Sequence, residues 1–267
     1  MKMQASPVKH MALEMGLPVE TPEKSRAPEF IERVESESPD VLLVASYGQI
    51  LSERLLNVAT HGGINFHGSI LPKYRGAAPI QRSILDGEGE TGVTMIQMEK
   101  GMDTGDVIEI RTTPIGPDET YGELQDRLGS IAAEQASDWI ARLIAGTYPR
   151  VKQNEALATL APKVSKEEAE LAFDRPALGE YARFRAFTPS PGAYFMTRFG
   201  RLRLSRVRLS EQEGESGTVR LPNLVAFKGG SLELLEVQLE GKGKTPGRDF
   251  FNGHRLRNGE SLVRNET

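Results

Sequence analysis

Residues 39–84 hold two short apolar runs separated by a helix-like stretch, and this alternation limits the folds open to the chain more than any other feature. "PDVLLVASYG" (39–48) is short, rich in Val and Leu, and stops at a glycine, the pattern of a strand buried on both faces. "SERLLNV" reads as a short helix with Ser52 as its N-cap. "GGINFH" is a second strand. "AAPIQRSILDGE" is a helix with Pro79 in its first turn, where a missing N–H leaves nothing unpaired. Two more strands, "TGVTMIQM" and "DVIEIRTTPI", enclose the loop "EKGMDTGD". Ahead of them, residues 25–38 form a helix with Phe30, Ile31 and Val34 on one face. Behind them, Thr120 and Glu123 make the capping box of a long helix carrying Leu124, Leu128, Ile131, Trp139 and Leu143 as its apolar stripe. Strands alternating with helices predict an α/β domain whose mostly parallel sheet is covered on both faces.

From about Tyr148 the pattern changes. "PRVKQNEALATLAPKVSKEEAEL" is polar and irregular, a linker with one short helix at its end, and Pro176 opens another short helix through Phe187. Five short strands then follow, "GAYFMTRF", "RLRLSRVRLS", "GTVR", "LVAFK" and "SLELLEVQLE", and predict a small β-barrel or sandwich. The expected organisation is a first domain over 1–150, a linker over 151–171 and a β-domain over 172–267. Charge follows the same division: residues 165–267 carry 17 Lys and Arg against 14 Asp and Glu, and residues 1–164 carry 16 against 23. There is no cysteine, which excludes disulfides, thiolate chemistry and Cys-based zinc sites. No run approaches the ~18 apolar residues of a membrane span, and "MKMQASPVKH" has no signal-peptide core. A soluble, cytoplasmic, monomeric protein without a membrane partner is expected.

The chemistry gathers after the second strand. Asn65 and His67 are i and i+2, so on a strand they share a face. Together they offer an amide donor and an imidazole to one point, which suits a developing oxyanion and a proton to be moved. Asp103 in "GMDTGD" is a carboxylate able to orient that imidazole. In "SILPKYRG", Ser69 and Pro72 shape the loop while Lys73 and Arg75 project cations. Each part also has a plain structural explanation: satisfied polar residues at a strand end, an Asx-turn at Asp103, a solvated basic loop.

The segments "NFHGSILPKYRGAAPIQRSI" and "TGVTMIQMEKGMDTGDVI" resemble the 10-formyltetrahydrofolate-dependent formyltransferases. "VASYGQIL", "KVSKEEAEL" and "RAFTPSPGAY" resemble the members that act on methionine esterified to initiator tRNA, and the likeness spans nearly the whole chain. It implies a Rossmann-like catalytic domain followed by an OB-like barrel. It also implies 10-formyltetrahydrofolate as co-substrate, no metal, and initiator methionyl-tRNA as partner. By this resemblance Asn65, His67 and Asp103 match the catalytic residues. Ser69, Ile70, Leu71 and Pro72 match the segment lining the folate site, and Tyr47, Gln49, Ile50 and Leu51 match the wall around the pterin ring. Ile70, Ser52 and Ser190 depart mildly, standing where Leu, Pro and Trp are usual. The larger departure is at the front. By that comparison roughly 45–50 residues with a central strand are missing, which would leave strand edges open and the first domain poorly folded and little active.

"RLRLSRVRLS" buries Leu202 and Leu204 on one parity and Val207 and Leu209 on the other, so a bulge is expected near Ser205. Across it, Arg201, Arg203, Arg206 and Arg208 can all face outward, either as a solvated strand face or as a phosphate-tracking stripe for tRNA. Lys163 and Lys166 in the linker, with Lys73 and Arg75, would add contacts to the RNA backbone. Two other functions fit parts of the pattern: formylation of a nucleotide, sugar or other small amine, and a non-catalytic RNA-binding fragment. The basic β-domain and "SKEEAEL" favour the tRNA substrate over the small amine.

Overall fold

A computed structural model describes residues 5–263. The first helix is α1 (Pro7–Glu14), capped by the Ser6 side chain. The first lobe continues through α2 (Pro28–Ser36), β1 (Leu42–Val44), α3 (Glu53–Leu56), β2 (Gly63–His67) and β3 (Arg75–Gly76). It ends with α4 (Pro79–Leu85), β4 (Glu90–Gln97), β5 (Val107–Pro114) and α5 (Tyr121–Ile144). Local signals act where the sequence puts them. Ser52 accepts from Leu55 N at 3.2 Å to start α3, Pro79 stands in the first turn of α4, and Thr120 and Glu123 close the capping box of α5. α5 buries Leu124, Leu128, Trp139 and Leu143.

The sheet order is β1-β2-β4-β5, and the expectation of a mostly parallel sheet needs correction. Only β1 and β2 are parallel; β2–β4 and β4–β5 are antiparallel. The reason lies in the connection after β2. An eleven-residue loop and the seven residues of α4, a helix roughly 10 Å long, bring the chain back to the same end of the sheet that β2 left, so β4 runs back alongside β2. A helix between two strands therefore does not impose a parallel crossover.

The second part holds β6 (Leu160–Ala161), α6 (Ala177–Phe187), β7 (Tyr194–Thr197), β8 (Gly200–Ser210), β9 (Val219–Arg220), β10 (Leu224–Phe227), β11 (Gly230–Leu239), β12 (Lys244–Pro246) and α7 (Gly247–Gly253). Six strands form an antiparallel sheet in the order β7-β8-β11-β10-β9, with β12 also on β11. The expected OB-like barrel is not closed: the path has two ends, β7 and β9. Curvature comes instead from paired irregularities. The register skips Leu235 on β11 and Ser205 on β8, side by side. Inward residues change parity on both strands there, from Leu202 and Leu204 to Val207, and from Leu232 and Leu234 to Val237, all buried. Two facing bulges thus keep one apolar face while the sheet bends around Phe195, Phe227, Phe250 and Phe251.

The segment expected as a linker is docked on the first lobe. Val151 pairs with Val107, β6 pairs in parallel with β3, and Arg82 of α4 holds the Glu168 carboxylate and the Pro162 carbonyl. The short helix expected in "SKEEAEL" is a single 3₁₀ turn, Glu167–Ala169, because the chain turns extended to bridge Glu170 to Tyr194.

Candidate active site

Alternation along β2 sorts its side chains. The Phe66 ring meets Trp139 of α5 edge-on, with centroids 5.6 Å apart, so Ile64 and Phe66 face α5. Asn65 and His67 face the opposite side. The β4–β5 loop brings Asp103 to them. Asn65 Nδ2 lies 3.4 Å from Asp103 Oδ1, and His67 Nδ1 lies 3.5 Å from Asp103 Oδ2. The three residues singled out from sequence thus converge on one point, with His67 buried and Asp103 partly open.

Loop 68–78 completes the arrangement. His67 Nε2 is 2.8 Å from the Tyr74 carbonyl, an acceptor only, so Nε2 carries a proton. The Gly76 amide donates to Asp103 Oδ2 at 2.9 Å. Tyr74 is pinned at its far end, where its hydroxyl donates to the Asp86 and Glu88 carboxylates at 3.0 Å. Burial, reinforced by these two carboxylates, pushes the phenol far above its ordinary range, so it remains a neutral donor. Glu88 is held below the usual carboxylate range by Lys73, whose ammonium donates to it at 2.8 Å, and by Tyr74.

β1 and β2 run parallel, so the loops that follow them leave the same edge of the sheet. Residues 45–51 contain Tyr47, Gln49, Ile50 and Leu51. Tyr47 and Ile50 are exposed, and Gln49 anchors the loop by accepting from the Ser25 amide at 2.8 Å. In the second loop Ser69 is fully buried, donating to Lys73 O at 2.7 Å. Leu71 N donates to Thr94 Oγ1, which itself donates to the Ser69 carbonyl. Ile70 and Pro72 are half-buried beside them.

The basic residues divide. Lys163 and Lys166 are exposed and border a cleft of about 690 Å³ with Ala78, Gln81, Tyr121 and Pro191. Arg201, Arg203, Arg206 and Arg208 all lie on the exposed side of β8. Arg201 stacks over the Tyr194 ring at 4.5 Å, an aromatic partner not anticipated from sequence. Arg208 is 3.4 Å from Glu233. Arg75 departs from expectation. It is 5% exposed and does not project. Its guanidinium donates to both Glu155 oxygens at 2.7 and 2.9 Å and to Gln153 Oε1. Glu155 raises the pKa of Arg75 further, and its own is lowered in return. A buried, fully paired Arg75 is a structural tie rather than a free cation. Gln153 and Glu155, which supply these contacts, and Thr159, which accepts from the Tyr74 and Arg75 amides, lie in a polar stretch that carries no local pattern marking them.

Comparison with known proteins identifies the family. Residues 1–140 match the formyl transferase family and residues 163–255 match the formyl transferase C-terminal domain. The chain is 43% identical over 261 residues to a methionyl-tRNA formyltransferase of Chlamydia pneumoniae, covering 93% of this chain and 81% of the relative. It is 40% identical over 265 residues to that of Geobacter sulfurreducens, covering 98% and 84%. Among solved structures, the sugar 3N-formyl transferase WlaRD, in the presence of dTDP and 5-N-formyl-THF, superposes with a TM-score of 0.66 at 18% identity, covering 89% of this chain and 82% of that one. That last likeness concerns the fold alone. Two family matches spanning both lobes, and relatives of 40–43% identity over most of the chain, lead to one conclusion: the chain belongs to the formyl transferase family.

Proposed function

We propose that the chain transfers the formyl group of 10-formyltetrahydrofolate to the α-amino group of methionine esterified to initiator tRNA, acting in the cytoplasm as a monomer. The observation that carries this is the meeting of Asn65, His67 and Asp103 at one point in a chain so similar to methionyl-tRNA formyltransferases. The neutral amine attacks the formyl carbon, and negative charge grows on the formyl oxygen. Asn65 Nδ2 and a protonated His67 Nδ1 are the donors for it. Both now face Asp103 at distances near the long limit of a hydrogen bond, so an oxyanion can take them at little loss. Asp103 keeps His67 oriented and receives the proton released from the amine, directly or through water; the tetrahedral intermediate then collapses by breaking the formyl C–N10 bond, and that proton passes to N10 as tetrahydrofolate leaves. Tyr74 O fixes the other ring nitrogen.

The loops 45–51 and 68–72 leave the same sheet edge and are the walls for the folate, with Tyr47, Gln49, Ile50 and Leu51 against the pterin and Ser69, Ile70, Leu71 and Pro72 nearer the transferred group. Lys73, Lys163, Lys166 and the Arg201, Arg203, Arg206 and Arg208 stripe are the cations for the tRNA backbone. Arg75 is left out of that set.

The test is formylation of methionyl-tRNA with 10-formyltetrahydrofolate, read as formylmethionyl-tRNA. His67→Ala and Asp103→Asn should each lower kcat by about 100- to 1000-fold with tRNA affinity unchanged, because they act on the transition state. Ordinary turnover in either variant overturns the residue roles. Formylation of a small amine without any of methionyl-tRNA overturns the substrate.

A further inference from the structure

Two non-glycine residues beside His67 have left-handed backbones: Tyr74 at φ +64° and Asp103 at φ +53°. Asp tolerates this region better than most residues, but Tyr rarely adopts it, and such a tyrosine conformation persists only where the surroundings hold it. Each supplies one of the polar groups that face the imidazole, the Tyr74 carbonyl and the Asp103 carboxylate. Both are held by the segment that joins the two lobes. Thr159 Oγ1 accepts from Tyr74 N at 2.8 Å, and the Thr159 carbonyl accepts from Arg75 N at 2.8 Å. Gln153 Nε2 donates to the Asp103 carbonyl and to the Gly105 carbonyl, both at 2.8 Å. The other end of the same amide, Oε1, accepts from Arg75 Nε and Nη2 at 3.0 and 2.9 Å.

All the hydrogen-bonding capacity of the Gln153 amide is therefore used, with its orientation set by donors on one side and acceptors on the other. Arg75 in turn is clamped to Glu155. The loop that Gln153 grips has no slack: a Cβ added at Gly105 would lie 1.8 Å from the Gln97 carbonyl oxygen. Across the site, a Cβ added at Gly76 would lie 2.7 Å from the Ala161 carbonyl oxygen, so the inter-lobe segment also packs directly on the residue whose amide binds Asp103.

We propose that Gln153 is a positioning residue for formyl transfer: by gripping the backbone at Asp103 and Gly105 while Arg75 holds its other end, it sets the Asp103 carboxylate against Asn65 and His67. The inter-lobe segment is thereby part of the catalytic assembly, with Thr159 doing the same for Tyr74. This rests on the catalytic roles given to His67 and Asp103 above.

Substitution separates the two ends of the amide. Gln153→Glu keeps an acceptor for Arg75 but loses both donors to the Asp103 loop; Gln153→Ala loses everything. In the full chain both variants should lower kcat by about 10- to 100-fold, the scale of an ångström-level misplacement. KM for methionyl-tRNA should stay within about twofold, since the Gln153 amide is spent on Arg75 and the Asp103 and Gly105 carbonyls. Thr159→Val should act in the same direction. The activity-independent readout is the ¹⁵N resonances of the His67 ring. They should move in Gln153→Glu and Gln153→Ala and stay in place in Arg201→Glu. A Gln153→Glu enzyme with wild-type kcat and unmoved His67 resonances overturns the proposal, as does a loss confined to KM or one that merely tracks a lowered melting temperature. If the wild type fails to formylate methionyl-tRNA while the resonances still move, the functional assignment fails and the positioning stands.

Discussion

The first lobe buries His67, Ser69, Arg75 and Thr94 in its interior, whereas the second is filled by Phe195, Phe227 and Phe251, each fully buried. The strands at the heart of each also differ: β1 and β2, whose ends feed the site, have three and five residues, whereas β8 and β11 have eleven and ten. Long strands pair most of their own backbone and leave an apolar face to close the core. Short strands hand the chain over to loops, and loops carry polar groups that need partners. In the first lobe several of those partners come from beyond it: Thr159 for the Tyr74 and Arg75 amides, Gln153 and Glu155 for the Arg75 guanidinium. The first lobe is also the less sealed, with β1 at the end of its sheet and Leu43, Tyr47 and Ile50 exposed nearby. Carrying its polar groups on loops makes one lobe dependent on its surroundings, while the other is nearly self-sufficient.

Cutting the chain is the strongest way to break this comparison. A fragment of residues 172–267 keeps the six-stranded sheet and the phenylalanine core and should unfold cooperatively on its own. A fragment of residues 1–150 keeps Asn65, His67 and Asp103 but strands the Tyr74 and Arg75 amides and a buried guanidinium. Each buried group left unpaired costs about 1–3 kcal/mol, more for a charge, against a total stability of only ~5–15 kcal/mol. It should lack a cooperative melt in calorimetry. Equal folding of the two fragments would end the asymmetry.

Single substitutions sharpen the contrast at smaller scale. Phe227→Ala removes a fully buried ring packed on Phe173 and Phe195 and should cost about 3–5 kcal/mol in denaturant unfolding. Leu43→Ala, at a position 44% exposed in the first sheet, should stay within about 0.5 kcal/mol. Comparable losses at the two sites would mean that β1 is far better covered than its exposure indicates.

What could be read from sequence divides along a related line. Signals confined to a few residues survived into the structure. The Thr120–Glu123 capping box is local, as is the shared face of Asn65 and His67, and the parity change at Ser205 is a true bulge matched by one at Leu235. Strand direction is not local. β4 enters antiparallel because of the path taken by residues 68–89, and no periodicity encodes that path. Sheet closure was missed for a similar reason, since five or six short strands are compatible with an open or a closed order. The partners of the site were invisible because they are distant in sequence. Gln153 reaches back 50 residues to Asp103 and Thr159 reaches back 85 to Tyr74. Arg75 looked like a free cation within "PKYRG" because its counter-charge, Glu155, lies 80 residues away.

The smallest expected effect sets two glutamates of the inter-lobe region against each other. Glu168 of the docked segment is held below its ordinary 4.5 chiefly by the hydrogen bond from Arg82. A carboxyl with a lowered pKa stabilises the fold above its unfolded pKa and loses that contribution as pH falls through the folded value. Glu180 of α6 is the reverse. It is 1% exposed, burial raises its pKa, and the Ala172 amide and Arg183 and Arg175 oppose this only in part. Its contribution is fully present below 4.5 and declines as pH rises toward the raised folded value. Glu168→Gln should therefore flatten the loss of stability in acid, by about 0.5–1 kcal/mol because the pair is partly solvated. Glu180→Gln should flatten the decline on the other side of 4.5 and leave the acid limb alone. Melting temperatures measured every half pH unit for the wild type and both variants separate the two limbs. If both substitutions flatten the same limb, then α6 and the docked segment titrate as one unit, and the line between the dependent lobe and the self-sufficient one must be drawn further along the chain.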